Sequence, residues 1–135
     1  NIDNVYFKGN VEKKYVPYIL SCADLNILNY LNKDVWKYGG SQNKVFEYLA
    51  SGKPILSTIK SGYDIVEKYD AGISLDESDY KVVGDAIIDM SRLSNDKYLS
   101  LCENARMASY NYDYSKLAME LDCVISKSLI KRGVV

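Results

Sequence analysis

Gly39-Gly40-Ser41-Gln42-Asn43-Lys44-Val45-Phe46-Glu47-Tyr48-Leu49-Ala50-Ser51-Gly52-Lys53-Pro54-Ile55-Leu56-Ser57 decides the fold, because it reads as loop, helix, turn and buried strand in direct succession. The glycine pair permits a backbone turn that residues with a Cβ resist, and Ser41 or Asn43 can cap the first free amides of a helix that starts at once. Val45, Phe46, Leu49 and Ala50 fall on one apolar stripe at about 100° per residue, with Asn43, Lys44, Glu47 and Ser51 opposite. Gly52 suits the left-handed residue that ends such a helix, and Pro54-Ile55-Leu56 is too short for a second helix but right for a buried strand.

The same alternation continues outward. Upstream, Val5-Tyr6-Phe7 is β-prone and closed by Gly9-Asn10. Pro17 opens a short helix with Ile19, Leu20 and Ala23, and Leu25-Asn26-Ile27-Leu28 reads as a strand. The polar, aromatic stretch from Asn29 to Gly40 shows no sustained period and is expected to be a mobile loop. Downstream, a turn at Ser61-Gly62 precedes a helix through Ile65, Val66 and Tyr69, with Asp64 as its expected N-cap. Ala71 to Leu75 then gives turn and strand. Two helical stripes follow, Val82, Val83, Ala86, Ile87 and Met90, then Tyr98, Leu101, Cys102, Ala105 and Ala108. A last helix is expected from about Tyr114, with Leu117, Leu121, Val124 and Ile125 inward.

Bulk properties narrow the function. The 135 residues are 47% apolar, enough for the core of one domain over 1–135. Formal net charge is −1 with scattered Lys and Arg, which gives no reason to expect nucleic acid as a partner. Histidine is absent, which argues against a self-contained hydrolytic triad or a zinc site. Cys22, Cys102 and Cys123 are odd in number and lack a CxxC spacing, so they read as reduced core fillers of a cytoplasmic protein. No apolar run of about 18 residues offers a membrane span. The chain opens at Asn1 and quickly enters an apolar run, which reads as a piece of something longer.

Short apolar strands alternating with helices predict an α/β fold, a Rossmann-like doubly wound parallel sheet covered on both faces, with extra helices at the C-terminus. Ligands of such sheets sit at the carboxyl ends of the strands. That edge collects the loops Gly9 to Val11, Asn29 to Ser41 and Ser57 to Gly62, together with the N-terminus of the central helix, whose free amides suit a phosphate or diphosphate near Ser41 to Lys44. Gly9 and Gly62 are either turn glycines or points of close ligand approach. Tyr30, Trp36 and Tyr38 border this edge.

Phe7-x-Gly9-x-Val11, Ala23-Asp24-Leu25, Lys44-x-x-Glu47-Tyr48-Leu49-Ala50-x-Gly52-Lys53-Pro54-Ile55 and Asp64-Ile65-Val66 before Ala71-Gly72-Ile73 occur in one order. Together they resemble the C-terminal, nucleotide-sugar-binding domain of GT-B glycosyltransferases of the retaining family 4 type. Ser41-Gln42-Asn43-Lys44 is similar to the Ser-Pro-Asn-Lys of a bacterial subgroup that serves surface-polysaccharide assembly of the capsule or lipopolysaccharide kind. The resemblance implies a nucleoside-diphosphate sugar as donor, Glu47 accepting from its ribose hydroxyls, backbone amides around Ser41 to Lys44 on the diphosphate, and Gly9 letting its loop approach the donor. It implies no metal and no cofactor beyond the donor.

Two departures stand out. Many relatives carry an acid eight residues before the equivalent of Glu47, a Glu-x7-Glu pair, with that position falling on Gly39, so the donor-sugar contact is lost here. The family's first βα units and its N-terminal acceptor domain are absent, so the piece alone is expected to be inactive. The family's strand order would then leave four strands with a gap, giving either a shifted pairing or an exposed edge that recruits a second copy. The resemblance places the protein in the cytoplasm, peripheral at the inner membrane through the missing domain. The competing reading is a flavodoxin-like binding module without transfer chemistry.

Overall fold

The computed structural model describes residues 3–31, 33–40 and 42–131. Among them, helices and strands alternate as α1 (Val16–Ser21), β1 (Asn26–Leu28), α2 (Asn43–Ser51), β2 (Ile55–Ser57), α3 (Ile65–Lys68) and β3 (Gly72–Ser74). The helices α4 (Tyr80–Ser91), α5 (Asn95–Ser109) and α6 (Tyr114–Lys131) follow. Turns of 3-10 helix lie at Lys13–Tyr15, Asp34–Tyr38 and Tyr110–Tyr112. The strands form one parallel sheet in the order β1-β2-β3, in register Asn26↔Ile55↔Gly72 through Leu28↔Ser57↔Ser74.

The central strand explains the doubly wound form. Successive side chains of β2 point to opposite faces, and all three of its residues are buried. Ile55 joins a core with Leu28, Val45, Leu49, Ile65, Val66 and Ala105, while Leu56 joins a second with Ala86, Met90 and Leu101. Helix α5 feeds both, through Leu101 on one side and Ala105 and Ala108 on the other. The α2 stripe is narrower than its sequence suggests. Val45 and Leu49 are buried and Phe46 is half-buried, but Ala50 is exposed. Gly52 ends α2 in the left-handed region (φ 65°, ψ 35°), its amide donating to the Leu49 carbonyl at 3.0 Å.

Four expectations are corrected. Val5, Tyr6 and Phe7 form no strand and stand exposed, Phe7 at 97%. A β-prone run needs a partner for its amides and carbonyls, and none of the described strands pairs with it. The sheet therefore has three strands rather than four. No gap or shifted pairing arises, and β1 stands at an edge. The described part of the stretch after β1 holds the 3-10 turn Asp34–Tyr38 where a loop without regular period was expected. Trp36 Nε1 donates to the Leu31 carbonyl at 3.0 Å, and the Gly62 amide donates to the Trp36 carbonyl at 2.8 Å. Helix α6 forms as expected but buries nothing. Leu117, Leu121, Val124 and Ile125 are 39–60% exposed, because an apolar stripe stays in solvent unless another surface meets it. Finally, Cys22 and Cys123 are exposed and only Cys102 is half-buried, so the thiols do not fill the core. Cys22 follows α1 and Cys123 lies on α6, two helices without a buried residue.

Candidate functional site

At the carboxyl edge of the sheet, a cleft of about 30 Å³ opens between the start of α2 and the start of α3, floored by Leu28 and Ser57 and walled by Gly40, Gln42, Tyr63 and Asp64. That volume holds roughly one water. A larger ligand must lie across the mouth, with only a small group reaching in.

The two helix starts that frame the cleft are finished differently. Asp64 caps α3 as expected: its Oδ1 accepts from the Glu67 amide at 2.9 Å and its Oδ2 from the Ser61 amide at 3.4 Å. The start of α2 has no such finish. Its N-cap is Gln42, with φ −109° and ψ 114° and no side-chain bond to the helix. Asn43 is the first helical residue, so it does not occupy the capping position anticipated for it, and Ser41 lies outside the described residues. Among the described residues no side chain accepts from the first amides of α2, and the Val45 amide donates to the Gln42 carbonyl at 3.0 Å; helix-start amides without a side-chain acceptor favour an anion.

Asn43, Lys44 and Glu47 are all exposed on α2. Among the described residues neither Lys44 nor Glu47 belongs to an ion pair. Glu47 does not line the cleft. One turn farther along the helix, it borders a separate groove of about 320 Å³ between α1 and α2, with Pro17, Leu20, Ser21 and Arg106. The structure thus sets Asn43 and Lys44 at the helix start and Glu47 beside them at helical spacing, on the α1 side. Arg106 comes from α5, and no feature of its sequence neighbourhood points to this groove; the packing of α5 on α2 brings it there.

Gly39 ends the 3-10 turn Asp34–Tyr38 with φ 93°. A Cβ at Gly39 would sit 3.5 Å from that of Tyr63, so this glycine lies beside a residue of the cleft wall without lining the cleft itself. Gly40 is packed beneath Trp36, whose ring a Cβ there would approach to 2.8 Å. Gly9 has φ 75° and open space around it; it lines neither cavity.

The border aromatics divide. Trp36 packs tilted against Tyr30 at 5.4 Å and Tyr38 is 82% exposed. Thr58 is a residue that sequence reasoning passed over. Its buried hydroxyl accepts from the Tyr30 amide at 2.9 Å and lies 3.3 Å from the Leu28 carbonyl, joining the loop after β1 to the end of β2.

Burial, with smaller contributions from Tyr30 and Glu47, raises the Tyr48 phenol above its ordinary pKa. Among the described residues, no three His, Cys, Asp or Glu side chains gather as a metal site, and no helix is long and apolar enough to cross a membrane. A family model described as "Glycosyl transferases group 1" matches residues 1–92, which ends one residue past α4. No curated protein and no solved structure matches the chain.

Proposed function

The chain belongs to the glycosyl transferases group 1 family, and from that premise we propose that it is the donor-binding domain of a retaining, family 4-type GT-B enzyme. The enzyme takes a sugar from a nucleoside diphosphate and passes it to a glycan or lipid-linked acceptor in bacterial surface-polysaccharide assembly. The observation that carries this reading is the N-terminus of α2 at the carboxyl edge of the sheet, where Gln42 makes no side-chain cap bond, with Glu47 one turn away. The diphosphate lies across the first amides of α2, helped by the Asn43 amide, by Lys44 and, at the preceding residue, by Ser41. The Glu47 carboxylate accepts from two neighbouring ribose hydroxyls, a geometry that suits its paired oxygens. Gly9 offers close backbone approach, and Gly39 provides no side chain for the sugar.

Within such an enzyme this domain works by positioning the donor and stabilising the diphosphate as it leaves, without a metal. An acceptor-binding domain is its partner in catalysis, and the edge of β1 is its route to self-association. The enzyme works in the cytoplasm, at the membrane surface through its acceptor domain.

Titration of the protein with UDP and GDP tests the site. Replacing Glu47 by Ala removes charge-assisted hydrogen bonds and should weaken binding by about 10- to 150-fold, the equivalent of about 1.5–3 kcal/mol. Equal affinity in Glu47→Ala would sink its role.

A further inference from the structure

One wall of the cleft has no role in the reading above. Tyr63, between β2 and α3, lines the cleft and is 52% exposed. Its hydroxyl accepts a hydrogen bond from Lys68 Nζ at 2.7 Å. The same ammonium lies 4.9 Å from the centre of the Tyr63 ring and 5.1 Å from that of Tyr69. Tyr112, from the 3-10 turn after α5, stands edge-on to Tyr69 with centroids 6.1 Å apart and packs 4.8 Å from Phe46 of α2. The Lys68 hydrogen bond, and secondarily Tyr112, hold the Tyr63 phenol below its usual pKa. Tyr63 is therefore held through Lys68 to an aromatic cluster that includes a residue beyond the family match, which ends at residue 92.

The placement of the other groups gives this wall a direction. Glu47 opens toward α1, Tyr63 stands toward α3, and the first amides of α2 lie at the helix start. A donor whose diphosphate rests on those amides, with its ribose on Glu47, carries its sugar away from α1 and toward Tyr63. Lys68 donates to the phenol oxygen, which also faces the Tyr112 hydroxyl, and the phenol O–H remains to donate to a sugar hydroxyl. A half-exposed ring with a polar tip also suits the mixed apolar and polar face of a pyranose.

We propose that Tyr63 is a specificity-determining residue for the sugar moiety of the donor, and that Tyr112 is its positioning residue, acting through its hydroxyl. The proposal rests on the donor reading of the cleft.

Calorimetric titration of the 135-residue chain with UDP, UDP-glucose, GDP and GDP-mannose tests it. The readout is the affinity for the sugar nucleotide divided by that for its bare diphosphate. We expect this ratio to fall about fivefold or more in Tyr63→Ala and about two- to threefold in Tyr112→Phe. In Tyr112→Phe the ring-carbon NMR signal of Tyr63, assigned by its loss in Tyr63→Phe, should also titrate at higher pH, a change that loss of packing alone does not produce. If Tyr63→Ala fails to fold, the ratio is read in Tyr63→Phe, which loses only the hydroxyl. An unchanged ratio in a folded Tyr63 variant, with wild-type protein that binds nucleotide, overturns this inference and leaves the donor reading standing. No binding of any of the four compounds by wild-type protein overturns both.

Discussion

At the scale of single residues, close approach decides what is replaceable. A Cβ at Gly72 would collide with the Ile55 carbonyl of the neighbouring strand, and no side-chain rotation can relieve a clash with backbone. Gly72→Ala should therefore cost about 3 kcal/mol or more by forcing β3 away from β2. Urea unfolding would show this as a lowered midpoint, and an unchanged midpoint would contradict it. Thr58 illustrates the reverse dependence, a residue whose neighbours are about thirty positions away in sequence. Gly52 was legible because a glycine after an apolar helical stripe has a local meaning. Thr58, Arg106 and Tyr63 were not, since their roles come from neighbours that only the folded chain supplies.

Among the elements, the contrast between α2 and α3 is the informative one. Asp64 satisfies the start of α3, whereas Gln42 leaves the start of α2 open. Gln42→Asp supplies the missing cap and should stabilise the fold by about 1 kcal/mol. The same carboxylate would occupy the amides proposed for the diphosphate and repel it. UDP affinity should then fall at least about tenfold while the melting temperature rises. Unchanged UDP affinity in this variant would place the diphosphate elsewhere. The helices α2, α4 and α5 were legible because a period near 3.6 over nine or more residues has few competing explanations. The run Val5-Tyr6-Phe7 misled because β propensity states a fit to a sheet without supplying one, and the α6 stripe because periodicity shows which face is apolar but not what covers it.

For the whole molecule, the tyrosines dominate the expected response to alkali. Burial raises the phenols of Tyr48, Tyr98 and Tyr112 above their ordinary value, with Cys102 adding to the effect at Tyr98 and Tyr69 at Tyr112. Below about pH 10 both the folded and unfolded states keep these protons and stability is intact. As pH rises further, the unfolded chain sheds them first, so the folded state holds more protons and loses stability. Tyr63, shifted down by Lys68, opposes this from an exposed position where solvent screens it. Thermal melts between about pH 9 and about pH 11 should show a falling midpoint, with a shallower slope in Tyr112→Phe; equal slopes would remove Tyr112 from the account.

By itself the sequence determined the alternation of strands and helices, the buried central strand, the glycine that ends α2 and the acid cap of α3, all of which follow from contacts within a few residues. The tertiary structure decided the rest. It set the sheet at three strands, placed Glu47 in a groove apart from the cleft, and brought Tyr63, Lys68 and Tyr112 together, because strand partners, groove walls and aromatic clusters are made by residues distant along the chain whose meeting no local pattern encodes.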